Sequence, residues 1–189
     1  MASVSGSLAS MGCGVPYAIA AKYAYPDRPV IALVGDGAMQ MNGINELITI
    51  SKYWRQWRDP RLIVMVLNNG DLNFVTWEQR QVGMPKNEET QPMPDFPYAE
   101  YAKLLGLEGI EVDRPEAVGS AWEQALSANR PVVLEAHTDP NVPSVLPPQV
   151  PRKYLQEYFV ALTKGDSEAG GVVKQLYQEI ADLKMPGRS

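Results

Sequence analysis

The sequence predicts an α/β fold with a doubly wound, mainly parallel sheet and helices on both faces. Apolar runs at residues 30–34 and 62–67 are short, nearly continuous and rich in β-branched residues, which is typical of strands buried on both faces of a parallel sheet. Between these runs, apolar residues recur at helical spacing. Strand, helix and strand in this order form a right-handed βαβ unit, so we expect the two strands to be parallel.

The rest of the chain continues this alternation. Asp113 and Pro115 open one helix with an acceptable cap and a proline in the first turn. An alternation of this kind indicates a single sheet covered by helices on both sides. Helices are predicted over residues 8–25, 38–53, 98–105 and 115–128, and strands over residues 30–34, 62–67, 109–112 and 131–136.

Two proline-rich stretches lie outside this alternation. Residues 81–97 contain four prolines and several charges, and we expect them to form a long loop that acts as a lid. Residues 138–151 lack periodicity and predict an extended strap, followed by helices over residues 152–164 and 171–184. We therefore divide the chain into a domain at residues 1–140 and a strap with C-terminal helices at residues 141–189.

Polar residues follow both of the first two strands. Gly35, Asp36 and Gly37 follow the first run, and Asn68 and Asn69 follow the second. Ligands of such sheets bind beyond the carboxyl ends of the strands, where these residues are expected. Carboxylate, amide and backbone oxygens suit Mg²⁺ or Ca²⁺, while glycines and a helix N-terminus suit a phosphate. The pattern predicts a diphosphate bridged to the protein by Mg²⁺.

Each of these features also has a purely structural interpretation. Gly-Asp-Gly is often only a turn. Asn69-Gly70 is a strong hairpin signal, with residues 72–77 as the returning strand. Glu78 is equally explained as a solvated charge on a helical stretch with Gln79 and Arg80. The order of strand, Gly-Asp-Gly, helix, strand and Asn-Asn favours the ion site.

The segment from Gly35-Asp36-Gly37 to Asn68-Asn69 resembles the thiamine diphosphate fingerprint of the decarboxylase, acetolactate synthase and pyruvate oxidase family. Residues 6–21 also resemble the segment that precedes the fingerprint in these enzymes. The resemblance implies the thiamine diphosphate-binding fold and two cofactors, thiamine diphosphate and Mg²⁺.

The resemblance also implies a role for each matching position. The implied magnesium ligands are the side chains of Asp36 and Asn69 and the backbone carbonyl of Asp71. Backbone groups of Gly35, Gly37 and Ala38 are implied at the diphosphate. The implied aminopyrimidine contacts are the Ala9 carbonyl and the N–H of Met11, whose side chain would bend the cofactor.

Two further positions bear on the substrate. Pyruvate oxidases resemble this chain in carrying an aromatic residue and a glutamate where it has Phe74 and Glu78, which are the implied catalytic residues. Acetolactate synthases place a tryptophan at the second position, and Trp77 is one residue short of it. The resemblance therefore favours decarboxylation of a 2-oxo acid, pyruvate, with FAD in the full-length enzyme. The alternatives are acetolactate synthase-type carboligation and a non-catalytic module that binds Mg²⁺ and phosphate.

The resemblance implies partners as well. Family members are several times longer, so the N-terminal and central domains, including the glutamate that activates the aminopyrimidine, are expected elsewhere. The isolated fragment is expected to be inactive, and the full-length enzyme to be a homo-oligomer, a dimer or tetramer.

Composition excludes other function classes. The net charge is −5, with both signs interspersed, so we expect no nucleic-acid partner. The single cysteine, Cys13, cannot form an internal disulfide and fits a reducing, cytoplasmic location. The mixed charges of the C-terminal helices favour packing on a partner domain over membrane contact.

Overall fold

The computed structural model describes residues 2–6, 8, 10–142, 152–172 and 174. The chain divides into two compact units. The first unit comprises Met1–Asn69 and Pro94–Thr138, and the second comprises Gly70–Met93 and Asp139–Ser189.

The first unit contains a four-stranded sheet among its described residues. All neighbouring strands are parallel, and their order across the sheet is β1-β2-β4-β3. The register pairs Gly35 with Leu67, so the carboxyl ends of the first two strands lie at one edge. Each predicted strand is confirmed, with bounds that move by one residue. The strands are β1 (Val30–Gly35), β2 (Leu62–Asn68), β3 (Glu108–Val112) and β4 (Val132–His137).

Helices connect the strands of this sheet, and a second group belongs to the other unit. The helical segment predicted over residues 38–53 begins two residues earlier and includes a π-helical turn at Met39–Gly43. The α-helices in chain order are α1 (Gly14–Ala24), α2 (Asp36–Ala38), α3 (Ile44–Tyr53), α4 (Asn73–Gln81), α5 (Tyr98–Leu104), α6 (Val118–Ser127) and α7 (Arg152–Thr163); 3₁₀ turns occupy Trp54–Gln56, Pro115–Ala117 and Ser167–Gly170.

The sheet has apolar cores on both faces, which confirms the doubly wound α/β prediction. One core joins the sheet to α1, α3 and α5, with Leu47 and Tyr98 among its buried residues. The other joins the sheet to α6 through Ala121 and Ala125. Consecutive residues of β2 alternate between the two cores, as the pleat of a strand requires.

The prediction that both of the first two strands are buried on both faces is wrong for β1. Ile31 is 47% exposed and Leu33 is 68% exposed, whereas nearly every residue of β2 is buried or half-buried. The α6-side core contains no residue of β1 among those described. A continuous apolar run indicates that a strand is apolar on both faces. It does not indicate that a helix or another segment covers each face.

The first predicted helix is too long at its start. Residues 8–13 are not helical where they are described, and α1 begins at Gly14. Met11 and Gly12 form a turn in which Gly12 has φ of +84°, a left-handed conformation that ends a helical path. The apolar residues before Gly14 therefore extend the predicted helix by several residues that are not helical.

The second unit places a helix directly after the Asn-Gly pair. Residues 73–81 form α4, so the alternative of a returning strand at residues 72–77 is wrong. The helix predicted over residues 152–164 is confirmed as α7. The strap prediction lies mostly outside the described residues, and of the helix predicted over residues 171–184 only 171, 172 and 174 are described. Within the described residues, no helix is long and apolar enough to cross a bilayer.

Candidate functional site

The two polar loops of the first unit meet through Asp36. This side chain is 3% exposed. Its Oδ1 accepts a hydrogen bond from the Gly37 amide at 2.8 Å, and its Oδ2 accepts one from the Asn69 amide at 3.2 Å. The parallel register brings Asp36 and Asn69 together, as expected from strand ends at one sheet edge.

A buried glutamate of β4 supports the loop after β2. Glu135 accepts a hydrogen bond from Asn68 Nδ2 at 2.8 Å and another from the Ala99 amide, in the first turn of α5, at 2.9 Å. The Thr138 amide also donates to the Asn68 carbonyl at 2.9 Å. The side-chain amide of Asn68 is bonded to β4 and its backbone carbonyl to the residue after β4. These two bonds fix the direction of the backbone that leads into Asn69.

A tyrosine of α5, Tyr98, contacts the backbone of the Gly-Asp-Gly loop. Tyr98 Oη donates to the Asp36 carbonyl at 3.2 Å and lies 3.1 Å from Gln40 Nε2. The pKa of Tyr98 is raised to about 12, mainly by burial and also by the negative charges of Asp36 and Glu135, while the hydrogen bond with Gln40 acts in the opposite direction. The phenol therefore stays neutral and remains a donor at physiological pH.

The predicted aminopyrimidine contacts are described only in part. Ala9 lies outside the described residues. Met11 is 53% exposed in its turn. A Cβ added to Gly12 would lie 2.9 Å from Asn42 Nδ2, so this turn packs tightly against the π-helical turn that follows Asp36. An exposed apolar side chain beside that helical segment agrees with a role for Met11 in contacting a ligand.

The donors of this loop fit Mg²⁺ and a diphosphate. A Cβ built on Gly35 would meet no atom within 4 Å, so the backbone there is open to close approach. Asp36 supplies a buried carboxylate, the ligand class that Mg²⁺ prefers. The Gly37 amide already bonds to Asp36, so a diphosphate would share or replace that acceptor. In the described part of the chain, no three His, Cys, Asp or Glu side chains cluster as a metal site, which leaves amide and backbone oxygens to complete the set.

Asp71 lies in the second unit and is engaged by several groups. Its Oδ2 accepts hydrogen bonds from Thr76 Oγ1 at 2.6 Å and Asn73 Nδ2 at 3.2 Å. Its Oδ1 lies 3.1 Å from Lys86 Nζ. The carboxylate is therefore engaged by neighbouring side chains of its own unit, and the ligand role of the Asp71 backbone carbonyl stays a prediction.

Helix α4 presents the predicted catalytic residues on its exposed side. Phe74 is 59% exposed, and Glu78, four residues later and therefore on the same helix face, is also exposed. Trp77 is only 4% exposed. Its ring contacts Tyr158 edge-on, and its Nε1 donates to the Pro140 carbonyl at 3.2 Å. Trp77 therefore faces the interior of its unit, and Glu78 does not.

Arg80, two residues after Glu78 in α4, is buried although it is charged. Arg80 is 2% exposed and forms two hydrogen bonds to Asp166, from Nε at 2.8 Å and from Nη2 at 2.9 Å. Its guanidinium also stacks 4.3 Å from the Trp77 ring centre. No local pattern marks Arg80, since its carboxylate partner is 86 residues away.

Sequence reasoning also missed several supporting residues. Glu135 could have been found, because it is a lone charge inside the apolar strand at Val132–His137. Lys86 and Gln91 lie in the proline-rich loop, where nothing in the local sequence distinguishes a buried polar residue from a solvated one.

Comparison with known proteins agrees with this geometry. Residues 1–136 match the family model described as "Thiamine pyrophosphate enzyme, C-terminal TPP binding domain". The chain belongs to this family. It is a thiamine diphosphate-binding domain, and the α/β fold described above is the fold of its relatives.

Relatives of several activities match this domain. The chain is 36% identical over 132 residues to a thiamine pyrophosphate-containing protein of Bacillus subtilis, a match that covers 70% of this chain and 22% of that one. It is 31% identical over 165 residues to the acetolactate synthase isozyme 3 large subunit of Escherichia coli, covering 85% and 27%. A thiamine diphosphate-dependent 4-hydroxybenzoylformate decarboxylase of Rhodococcus jostii has a TM-score of 0.59 at 28% identity, covering 68% and 23%. The chain therefore spans about a quarter of the length of these proteins.

Proposed function

We propose that this domain holds the diphosphate and Mg²⁺ of an enzyme that decarboxylates a 2-oxo acid, pyruvate, in the manner of pyruvate oxidases. Asp36 and Asn69 would bind the ion through side-chain oxygens and Asp71 through its backbone carbonyl. Gly35, Gly37 and Ala38 would receive the diphosphate, and Ala9 and Met11 the aminopyrimidine. Bound thiamine diphosphate would supply the electron sink that cleavage of the bond to the carboxylate needs.

The orientation of α4 carries the preference for an oxidase. Glu78 and Phe74 share the exposed face, whereas Trp77 is buried against Tyr158. A tryptophan in that position cannot contact a substrate without rotation of the helix. Glu78 can accept a hydrogen bond from a substrate or hold a proton near the reacting carbon, and Phe74 can exclude water from it.

Acetolactate synthase-type carboligation is the second candidate, because seven of the matching relatives are acetolactate synthases. Missing N-terminal and central domains, a homo-oligomer and FAD in the full-length enzyme are part of the same proposal. An absorbance spectrum of the purified full-length protein tests for the flavin.

The reaction is tested on the full-length protein with pyruvate. We expect faster pyruvate consumption with an artificial electron acceptor than without one, since oxidation must pass two electrons to an acceptor. Glu78→Gln keeps the shape of the side chain and removes its charge. Loss of one charge-assisted hydrogen bond of about 1.5–3 kcal/mol should slow the reaction by about tenfold or more. Glu89→Gln, an exposed carboxylate of the same unit, is the matched control.

Acetolactate as the main product, with no gain from any acceptor and no effect of Glu78→Gln, would favour the synthase. A protein that binds thiamine diphosphate but turns over no 2-oxo acid would contradict both enzymes.

A further inference from the structure

The segment that follows α4 is held by buried polar contacts within the second unit. Gln91 is 2% exposed, and its side chain bonds to Gln79 Oε1 at 2.6 Å and to the Asn87 amide at 2.8 Å. An antiparallel bridge joins Asp71 to Pro92. These contacts link the loop at Asn87, Gln91 and Pro92 to α4 and to Asp71.

Asp166, at the start of the turn after α7, bonds both to α4 and to the segment that follows it. Its carboxylate accepts two hydrogen bonds from Arg80 of α4 and a third, at 2.9 Å, from the backbone amide of Lys86. The Asp166 side chain is 6% exposed and that of Arg80 is 2% exposed, so the contact is made away from solvent. One carboxylate thereby holds α4 and the loop in a single arrangement.

Lys86 transmits this arrangement to Asp71. Its backbone is fixed by Asp166, and its ammonium lies 3.1 Å from Asp71 Oδ1. The Asp71 carboxylate is buried, and the Lys86 cation adds to the hydrogen bonds from Thr76 and Asn73 in offsetting the cost of removing its charge from water. A displaced Lys86 would leave the Asp71 side chain to rearrange, and its backbone carbonyl with it.

We propose that Asp166 and Lys86 are positioning residues that set the affinity of the Asp71 loop for Mg²⁺. The inference rests on the proposed function, in which the Asp71 carbonyl is a ligand. Asp166 holds the Lys86 backbone, Lys86 neutralises the Asp71 side chain, and the carbonyl keeps the direction that the ion requires. Residues that hold a metal ligand in place commonly change metal affinity by about 10–100-fold when they are lost.

The test compares two lysines of the same unit. Lys86→Met removes the cation at Asp71, whereas Lys164→Met removes a cation that bonds to the Gly83 carbonyl at 2.8 Å and ties α7 to the same loop. In the full-length protein, we expect Lys86→Met to raise the Mg²⁺ concentration for half-maximal thiamine diphosphate binding by about tenfold. Lys164→Met should leave it unchanged. Calorimetric titration at a fixed cofactor concentration measures both.

Asp166→Asn tests the first link, and a double variant tests the order of the links. Asp166→Asn should weaken Mg²⁺ binding in the same direction, and adding it to Lys86→Met should cause little further loss, because residues that act through one another are not additive. Hydrogen exchange of the cofactor-free protein gives a second readout. We expect faster exchange at residues 70–72 in Lys86→Met than in Lys164→Met.

Equal Mg²⁺ dependence and equal exchange in the two lysine variants would overturn the positioning role, as would additive losses in the double variant. A wild-type protein that binds no thiamine diphosphate at any Mg²⁺ concentration would instead overturn the proposed function. The two failures are therefore distinguishable by the wild-type titration alone.

Discussion

The loops that bear the proposed ligands are supported in different ways in the two units. Asp36 is bonded to its neighbour Gly37 and to Asn69 at the end of the adjacent strand. The Asp71 carboxylate lies 3.1 Å from Lys86 Nζ, and the Lys86 amide donates to Asp166 in a distant part of the chain. The contact of Asp36 with Asn69 can be predicted from the order of the strands, because parallel strands end at the same edge of the sheet. The contacts of Lys86 and Asp166 cannot be predicted in this way, because they join side chains that are distant in the sequence.

Asp36→Ala should produce the largest effect and tests the loop that the sheet supports. It removes the only side-chain carboxylate of the proposed metal set. Since loss of a supporting partner alone costs about 10–100-fold in metal affinity, loss of this ligand should exceed about 100-fold. Calorimetric titration of thiamine diphosphate with Mg²⁺ into the full-length protein measures it.

Asp113→Ala is the matched control for that variant, because Asp113 also follows a strand of the sheet but is exposed. It should bind the cofactor normally. Undiminished affinity in Asp36→Ala would remove the metal assignment and with it the contrast between the loops.

Asp166→Ala should produce the next largest effect. It tests how far the second unit depends on the buried pair of Arg80 and Asp166. It leaves Arg80 buried without a carboxylate, which typically costs about 3–5 kcal/mol of stability. Replacing both partners by apolar residues, Arg80→Met with Asp166→Leu, should recover much of the loss. Hydrogen exchange of peptides from α4 and α7 measures both variants.

The outcome that would contradict this expectation is uniform protection. If α4 exchanges as slowly in Asp166→Ala as in the wild type, the ion pair does not hold the unit together, and the two loops differ less than their contacts indicate.

Gly109→Ala should have a smaller effect. It tests whether the first unit, like the second, also depends on a contact between residues that are far apart in the sequence. A Cβ at Gly109 in β3 would lie 1.9 Å from the Ala99 carbonyl oxygen of α5. The backbone must shift to accommodate it, at a cost of about 1–3 kcal/mol. Thermal unfolding of the variant should show a lower melting temperature.

Gly119→Ala is the matched control, since a Cβ at that position in α6 would meet nothing within 4 Å. Alanine favours a helix over glycine by about 0.5–1 kcal/mol, so the melting temperature should rise. A fall in both variants would mean that loss of glycine is harmful for reasons other than the close approach at β3.

The smallest expected difference between the two units is in how the free energy of unfolding depends on acidic pH. Burial alone would raise the pKa of Asp166, but hydrogen bonds from Arg80 and the Lys86 amide bring it below the ordinary value of 3.8. Because the folded pKa lies below the unfolded one, this stabilisation is fully present above pH 3.8 and is lost as the pH falls through the folded pKa. Urea titrations at a series of pH values measure the free energy of unfolding.

Asp59 is the corresponding group of the first unit, where a hydrogen bond from Arg61, two residues away, lowers its pKa in the same direction. We expect Asp166→Asn to flatten the acid dependence more than Asp59→Asn, since a partner two residues away can persist in the unfolded chain. A greater flattening in Asp59→Asn would reverse the order.

The alternation of strands and helices and the meeting of Asp36 with Asn69 were predictable from the sequence. Both depend on local periodicity and on the fact that parallel strands end at one edge of a sheet. The sequence also placed Phe74 and Glu78 four residues apart, which puts them on one face of any helix. Local patterning was sufficient for these features because none of them depends on what packs against them.

Which faces are covered and which charges are paired became visible only in the folded chain. The apolar pattern of β1 could not reveal that Ile31 and Leu33 are exposed, nor could the charge of Arg80 reveal its burial. Trp77 and Glu78 are adjacent in sequence, yet one packs on Tyr158 and the other faces outward. Burial and ion pairing are properties of surfaces brought together across as many as 86 residues, and a sequence pattern of a few residues contains no record of them.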